Sequence, residues 1–308
     1  MTMNIDELLS SKNITESSKN LYIKNLQRLN DGPVKNLSFL KNIDSVMEKI
    51  EKYKPNTQRS YIISIVSLLR VLTDRPRFKK LYDKYYEILL MMNKSLKTSN
   101  EKSLREKENW ISQEEVLAKL DDLKKILPEI ENKRKITDLQ YNRLLMCVVL
   151  SLYALHPPRR NKDYQNMIIT KIKTPAYSVA NDSPNILDWK NKNFIFTNYK
   201  TKSTYQEQVI PIVPELQAIL KVYFKFHKTY KLSSKPHFLV NNSGDNFKNN
   251  NDITRLLYKV FNKKIGSSML RHIYLTDKYG NSMDNLEQDA TKMGTSTGVI
   301  QDHYIKED

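Results

Sequence analysis

The stretch between Ser268 and Tyr304 decides how the rest of the chain is read. It is entered through Ser267-Ser268-Met269-Leu270-Arg271-His272-Ile273-Tyr274-Leu275-Thr276. It closes on Met293-Gly294-Thr295-Ser296-Thr297-Gly298-Val299-Ile300-Gln301-Asp302-His303-Tyr304. Leu270 to Thr276 reads as a buried helix with one polar face. Met293-Gly294-Thr295-Ser296 has the form of a helix stop, a glycine turn, and a Ser or Thr N-cap opening the next helix. That helix would carry Tyr304 nine residues after Thr295. Two side chains here can do chemistry together. The Arg271 guanidinium keeps its charge at neutral pH, and its fork of donors fits two phosphate oxygens. The Tyr304 hydroxyl becomes a nucleophile once its proton is taken.

Length and charge widen the reading. At 308 residues the chain suggests two domains, each large enough to bury a core. The formal charge of +17 and a sequence pI near 9.6 point to a polyanionic partner. The charge is spread along the chain. Residues 1–108 hold 21 Lys+Arg against 13 Asp+Glu, and the remainder holds 30 against 21. Cys147 is the sole cysteine, so no disulfide framework or thiol metal cluster is expected. It lies in the apolar run Leu144 to Leu155 and reads as a small core residue. No apolar stretch reaches the roughly 18 residues of a membrane span, and Met1–Ser10 has no signal-peptide pattern. An intracellular, reduced protein is expected.

Residues 1 to about 93 read as a small helical bundle. The first long helix places Leu21, Tyr22, Leu26 and Leu29 on one apolar face and stops at Asp31-Gly32-Pro33. A second runs from about Asp44 to Tyr53. Asn56-Thr57 is expected to cap a third, which presents Tyr61, Ile62, Ile65, Leu68, Leu69 and Leu72. A fourth runs from Phe78 to about Met92. Lys94 to Asn109 is almost wholly polar and reads as a linker or exposed helical extension, with the domain boundary near Lys107. Ser112-Gln113-Glu114-Glu115 is a capping box. Leu139 to Leu155 reads as a buried helix ended by His156-Pro157-Pro158, with Arg159-Arg160 opening the next turn. Asn193 to Tyr199 and Gln208 to Val213 read as strands flanking a turn from Lys200 to Glu207. Helices follow over about 215–230 and 254–261, with a short extended piece at His237–Val240 between them. His227 and His237 lack metal-ligand spacing and read as structural.

Leu270-Arg271-His272, then Met293-Gly294-Thr295, then Tyr304, resembles the C-terminal half of the tyrosine recombinase (phage integrase) family. There Leu-Arg-His is followed about two dozen residues on by Leu-Gly-His, with the nucleophilic tyrosine nine further. Here the intervals are 24 and nine. The resemblance implies a mainly α fold with a small antiparallel β-sheet: a helical core-binding domain over 1–107 and a catalytic domain over 108–308, clamping duplex DNA. It implies a site-specific recombinase or integrase of viral or mobile-element origin that works as a dimer to tetramer on paired sites, at DNA and not at a membrane. No cofactor is implied.

The same resemblance assigns roles. Tyr304 would attack a DNA phosphate and form a 3′-phosphotyrosyl bond. Arg271 and a first arginine at the 159–160 junction would clamp the phosphate, buttressed by an acidic residue three positions on. Arg160 with Asp163 fits that interval, and Arg159 is the rival. Lys200, with Lys202 as rival, would protonate the leaving oxygen. The pattern departs from the family at two positions. Ser268 stands where the family has His or Lys, and Thr295 where it has His or Trp. Only Ile305 to Asp308 follow Tyr304, so assembly is expected to use other surfaces than a long tail. A type IB topoisomerase shares this catalytic order. A basic DNA-binding protein with a decayed site is the non-enzymatic alternative.

Overall fold

The computed structural model of the protein describes residues 4–96, 101–170, 183–247, 249–279 and 286–306. The chain falls into two compact units, Met1–Thr98 and Ser99–Asp308.

In the first unit local signals set each helix. α1 (Ile5–Ser10) starts where the Asn4 side chain accepts from the Asp6 and Glu7 amides. α2 (Glu16–Leu29) starts where Thr15 accepts from the Ser18 amide, and α3 (Ile43–Glu51) where Asn42 accepts from that of Ser45. Each cap satisfies an amide the helix itself cannot. α4 (Pro55–Arg70) and α5 (Pro76–Ser95) begin instead with proline in the first turn, where its missing N–H costs nothing. Asn56 and Thr57 therefore lie inside α4 rather than capping it. The core holds Leu26, Leu29, Ile62, Ile65, Leu68 and Leu69, and the buried Tyr85 hydroxyl donates to the Leu40 carbonyl at 2.9 Å. Removing each such aliphatic side chain from water is worth about 1.5–3 kcal/mol. Leu21, expected on this face, is 47% exposed.

The second unit begins earlier than expected. α6 (Leu104–Asn109), capped by a reciprocal Ser103–Glu106 box, belongs to it and not to a linker. The Asn109 side-chain oxygen accepts from the Lys264 amide, and Arg105 donates to the Tyr258 hydroxyl. These ties move the division to Thr98/Ser99 from the expected Lys107; residues 97–100 of the expected linker lie outside the described ones. α7 (Gln113–Lys124) opens on the expected Ser112–Glu115 box. α8 (Ile126–Ile130) is one short turn beyond it. α9 (Asp138–Ala154) has ten buried residues, Cys147 among them, and runs through the middle of the core. Burial pushes the Cys147 thiol up to about 12. α10 (Asn161–Gln165) follows the proline pair.

The sheet is mixed, not antiparallel throughout. β1 (Ile168–Thr170) pairs parallel with β2 (Ile186–Asp188). β2 pairs antiparallel with β3 (Asn193–Phe196), and β3 with β4 (Gln208–Pro211), in register Phe194 to Ile210. Between β3 and β4 the connection makes one helical turn, α11 (Lys202–Tyr205). Phe194 and Phe196 pack edge-on against Tyr164 of α10. α12 (Pro214–Phe226) and α13 (Asn250–Phe261) pack on α9. α14 (Ser267–Tyr279), α15 (Leu286–Met293) and α16 (Thr297–Val299) complete the unit. A single π turn, Ile300–Tyr304, closes the described helices. The protein is thus mainly helical with a small four-stranded sheet, an α+β fold. Among the described residues no helix is long and apolar enough to cross a membrane.

Candidate functional site

α14 supplies one wall of the candidate site. Its apolar side is buried through Met269, Leu270, Ile273 and Leu275, which turns Arg271, His272 and Thr276 toward the last turn of the chain. Arg271 is 8% exposed. One of its terminal nitrogens donates to the Ser268 hydroxyl at 3.2 Å, while its buried Nε–H has no protein partner. The guanidinium carbon stands 5.3 Å from the centre of the Tyr304 ring. Burial lowers the Arg271 pKa; Tyr304 opposes that shift and the charge of Arg160 reinforces it. It remains charged at neutral pH, because a guanidinium starts far above 7. A buried cation with a spare donor, acted on by the charge of a second cation, favours an anion nearby.

The Tyr304 segment is held by its own turn chemistry. The Thr295 amide donates to the Ala290 carbonyl at 2.9 Å and the Gly294 amide to that of Thr291 at 3.0 Å, a Schellman ending to α15. Gly294 sits at φ +63°, and a Cβ there would lie 2.9 Å from the Tyr199 ring. Ser296 then caps α16, accepting from the Val299 amide. This is the stop, glycine turn and cap read from the sequence. The Ile305 amide reaches back to the Ile300 carbonyl, which makes the turn before Tyr304 a π turn. Thr276 of α14 donates to the Tyr304 carbonyl and accepts from the Lys306 amide. Half-buried Tyr304 packs its ring edge-on to His272, centroids 5.2 Å apart.

The β3–β4 connection reaches the same place. Thr201 donates to the Gly294 carbonyl, and Tyr199 packs on Gly294 while its hydroxyl donates to the Gln206 carbonyl. Lys200 lies between these two residues and is exposed; Lys202 opens α11 and is half-buried. Thr295 is buried at 5% exposure, whereas Ser268 is exposed. Ser268 and His272 border an open cleft of about 430 Å³ that Arg105 and Lys264 also line.

The two arginines at the 159–160 junction differ from the sequence reading. Asp163 pairs with Arg159, at 2.9 Å and i, i+4, not with Arg160. Arg159 is 1% exposed, and its Cζ lies 3.9 Å from the Phe196 ring centre and 4.8 Å from that of Tyr199. It also donates to Gln208 Oε1 at 2.6 Å and to the Lys292 carbonyl. Burial raises the Asp163 pKa and the Arg159 guanidinium opposes it. Arg160, the N-cap residue of α10, is half-exposed, and its charge helps to lower the Arg271 pKa.

Three further residues bear on the site: His272, part of the Leu270-Arg271-His272 motif but given no role from the sequence, and Gln208 and Asp289, which the sequence alone did not mark. His272 is held neutral, its pKa lowered to about 4 chiefly by burial, and its Nδ1 faces Glu106 at 3.7 Å. Gln208 looks like an ordinary strand residue. Asp289 accepts from Tyr274 and Tyr279 at 2.7 Å each and from Lys278, fixing α15 on α14. A carboxylate in the first turn of a predicted helix gives no sign of three partners on another helix. Among the described residues no cluster of His, Cys, Asp and Glu is arranged to hold a metal ion.

No family model matches the chain, and no curated protein matches it in sequence. Among solved structures it is similar to one described as the crystal structure of XerA recombinase. That likeness covers 99% of this chain and 92% of the other, at 12% identity and a TM-score of 0.44. A likeness at that level carries no functional argument.

Proposed function

We infer that the protein is a site-specific DNA recombinase of the tyrosine type, cutting and rejoining duplex DNA without a cofactor. The observation that carries the reading is the Arg271–Tyr304 pair. A buried guanidinium with an unpartnered N–H stands over the ring of a tyrosine, and the charge of a second arginine, Arg160, acts on it. A phosphate diester held between these groups would satisfy the spare donors and place phosphorus within reach of the tyrosine oxygen.

In this reading the Tyr304 oxygen attacks the phosphorus and loses its proton to solvent or a neighbouring base. The bond to the 5′ oxygen breaks, that oxygen takes the electron pair, and Lys200 protonates it as general acid. The phosphotyrosyl ester keeps the bond energy, and a second 5′-hydroxyl reverses the step. Arg160 and Arg271 bear on the non-bridging oxygens, whose charge grows in the transition state. Ser268 and Thr295 offer neutral hydroxyls where the resembled family has proton-handling side chains. Ser268 already accepts from Arg271, so it orients the guanidinium as well as facing the phosphate. Both units are basic, which suits a duplex gripped from two sides by a protein assembled as a dimer or tetramer on paired sites. A viral or mobile-element origin belongs to the same proposal.

The test is incubation with nicked duplexes that lose their 5′-hydroxyl fragment on cleavage and so trap the covalent complex. The trapped DNA is expected on Tyr304. Absence of adduct on every duplex tried, with binding intact, would support the decayed-site alternative.

A further inference from the structure

We propose that Arg159 is a positioning residue, buried beneath the candidate site, that sets the height of the Tyr304 segment by holding the end of α15. The proposal rests on the reading of Tyr304 as the nucleophile. It concerns a residue that the family resemblance leaves without a role once Arg160 is taken as the clamp.

The last four carbonyls of any helix lack intrahelical partners, and the end of the helix carries partial negative charge. Two consecutive carbonyls at the end of α15 are taken by side chains from other elements. Arg159 donates to the Lys292 carbonyl, and Gln208 Nε2 donates to that of Thr291. The straps are themselves joined, because the same Arg159 nitrogen donates to Gln208 Oε1. Arg159 is in turn fixed from behind by Asp163 and from its faces by Phe196 and Tyr199. The path therefore runs from the α9–α10 junction and β4 directly to the residues before Gly294. Everything after that turn follows its position: the Thr201 bond to the Gly294 carbonyl, buried Thr295, the π turn and Tyr304.

The residue type fits this task. A planar fork can bind a carboxylate with one edge and a carbonyl and an amide with another, while its faces stack on rings; an ammonium group does only part of this. At 1% exposure Arg159 is closed to a phosphate. A helix end that shifts by about 1 Å would leave binding intact yet cost reaction rate on the order of 10²-fold.

The experiment uses the full chain and three readouts: melting temperature, duplex affinity, and the rate of adduct formation on nicked duplex. The Arg159→Met/Asp163→Leu double variant removes both buried charges together, which spares the fold the cost of an unpaired ion. It is expected to melt near the wild-type temperature, bind DNA with wild-type affinity, and form adduct about 10²-fold more slowly. Amide exchange at Gly294, Thr295 and Val299 is expected to speed up in the same variant. Arg159→Lys, which keeps the charge, should show the same pattern more weakly, and it decides the matter if the double variant does not fold. A variant that melts, exchanges and reacts like wild type would overturn the positioning role and leave Arg159 a packing residue. Failure of the wild type itself to form adduct would instead strike the recombinase reading; the exchange rates at 294–299 then decide the brace alone.

Discussion

Among the described residues two arginines are buried, and their surroundings differ. Arg159, at the α9–α10 junction, has a carboxylate, an amide oxygen, a backbone carbonyl and two ring faces. Arg271, on α14, has one serine hydroxyl and the edge of the site, and its Nε–H is unmatched. Taking a guanidinium out of water costs several kcal/mol unless paired charges and hydrogen bonds offset it. At Arg159 the protein supplies most of the offset itself, leaving one terminal nitrogen without a partner. At Arg271 it supplies only the Ser268 hydroxyl, with the Tyr304 ring alongside. On the proposed reading, the better-paired arginine belongs to the scaffold and the poorly paired one is left for a ligand of opposite charge.

The largest break in that comparison is expected from Arg159→Ala. It leaves the Asp163 carboxylate buried without its cation, a loss of about 3–5 kcal/mol, read as a lowered denaturation midpoint. Arg271→Ala should do the reverse: a denaturation midpoint at or above that of wild type, because it removes a poorly paired buried charge, and adduct formation slower by roughly 10²–10³-fold. If the two variants exchange these phenotypes, the assignment of scaffold and site is inverted.

Arg160→Ala sharpens the comparison at a single residue's remove. Its side chain is half-exposed and has no part in the Asp163 pair. Cleavage should drop by about the same 10²–10³-fold with the melting temperature unchanged. A stable, fully active Arg160→Ala protein would return the clamp to another cation.

Acid reaches both sides, since buried His156 and His272 are each lowered to about 4, and a substitution at His156 isolates the scaffold's share. His156 lies three residues before Arg159, with an unpartnered Nε2 and an edge-on contact to Phe194. Burial lowers its pKa to about 4, with the charge of Lys292 acting in the same direction. The unfolded value is near 6.5, so from pH 6.5 down to about 4 the unfolded chain binds the extra proton. The contribution of His156 is therefore complete above 6.5 and falls with pH, by up to about 1.4 kcal/mol per unit. Urea midpoints from pH 7 to 4.5 should drop more shallowly in His156→Phe, and identical slopes would contradict the burial account.

The smallest effects belong to the hydroxyls. Ser268→Ala and Thr295→Ala should each slow adduct formation by about five- to thirteenfold, the worth of one neutral hydrogen bond at about 1–1.5 kcal/mol. Native rates in both would make Ser268 and Thr295 orienting and packing groups only.

The parts of this arrangement legible in the sequence were those written by local rules. The Ser112 box, the stop–glycine–cap run at 293–296 and the buried helix through Cys147 each follow from neighbours in the chain. Leu21 follows the helical period and still lies at its edge, because the period says which residues align and not how wide the covering surface is. Ile168–Thr170 is too short a run to separate from the end of α10, so β1 and the parallel pairing were missed. The Arg159–Asp163 pair was missed for a sharper reason. Both i, i+3 and i, i+4 are neighbours on a helix, but Arg159 precedes the helix. Its direction is fixed by Gln208 and the Lys292 carbonyl, 49 and 133 residues away. No spacing rule reaches that far.

The central claim, that Tyr304 is the group to which Arg271 and Arg160 deliver a phosphate, is tested most directly by trapping on nicked duplex followed by peptide mapping of the DNA-linked residue. Wild-type protein is expected to yield one DNA-bearing peptide containing Tyr304. Tyr304→Phe, which keeps the ring against His272 and Arg271, is expected to bind the duplex with wild-type affinity and yield none. DNA linked to another residue, or adduct persisting in Tyr304→Phe, would contradict the account.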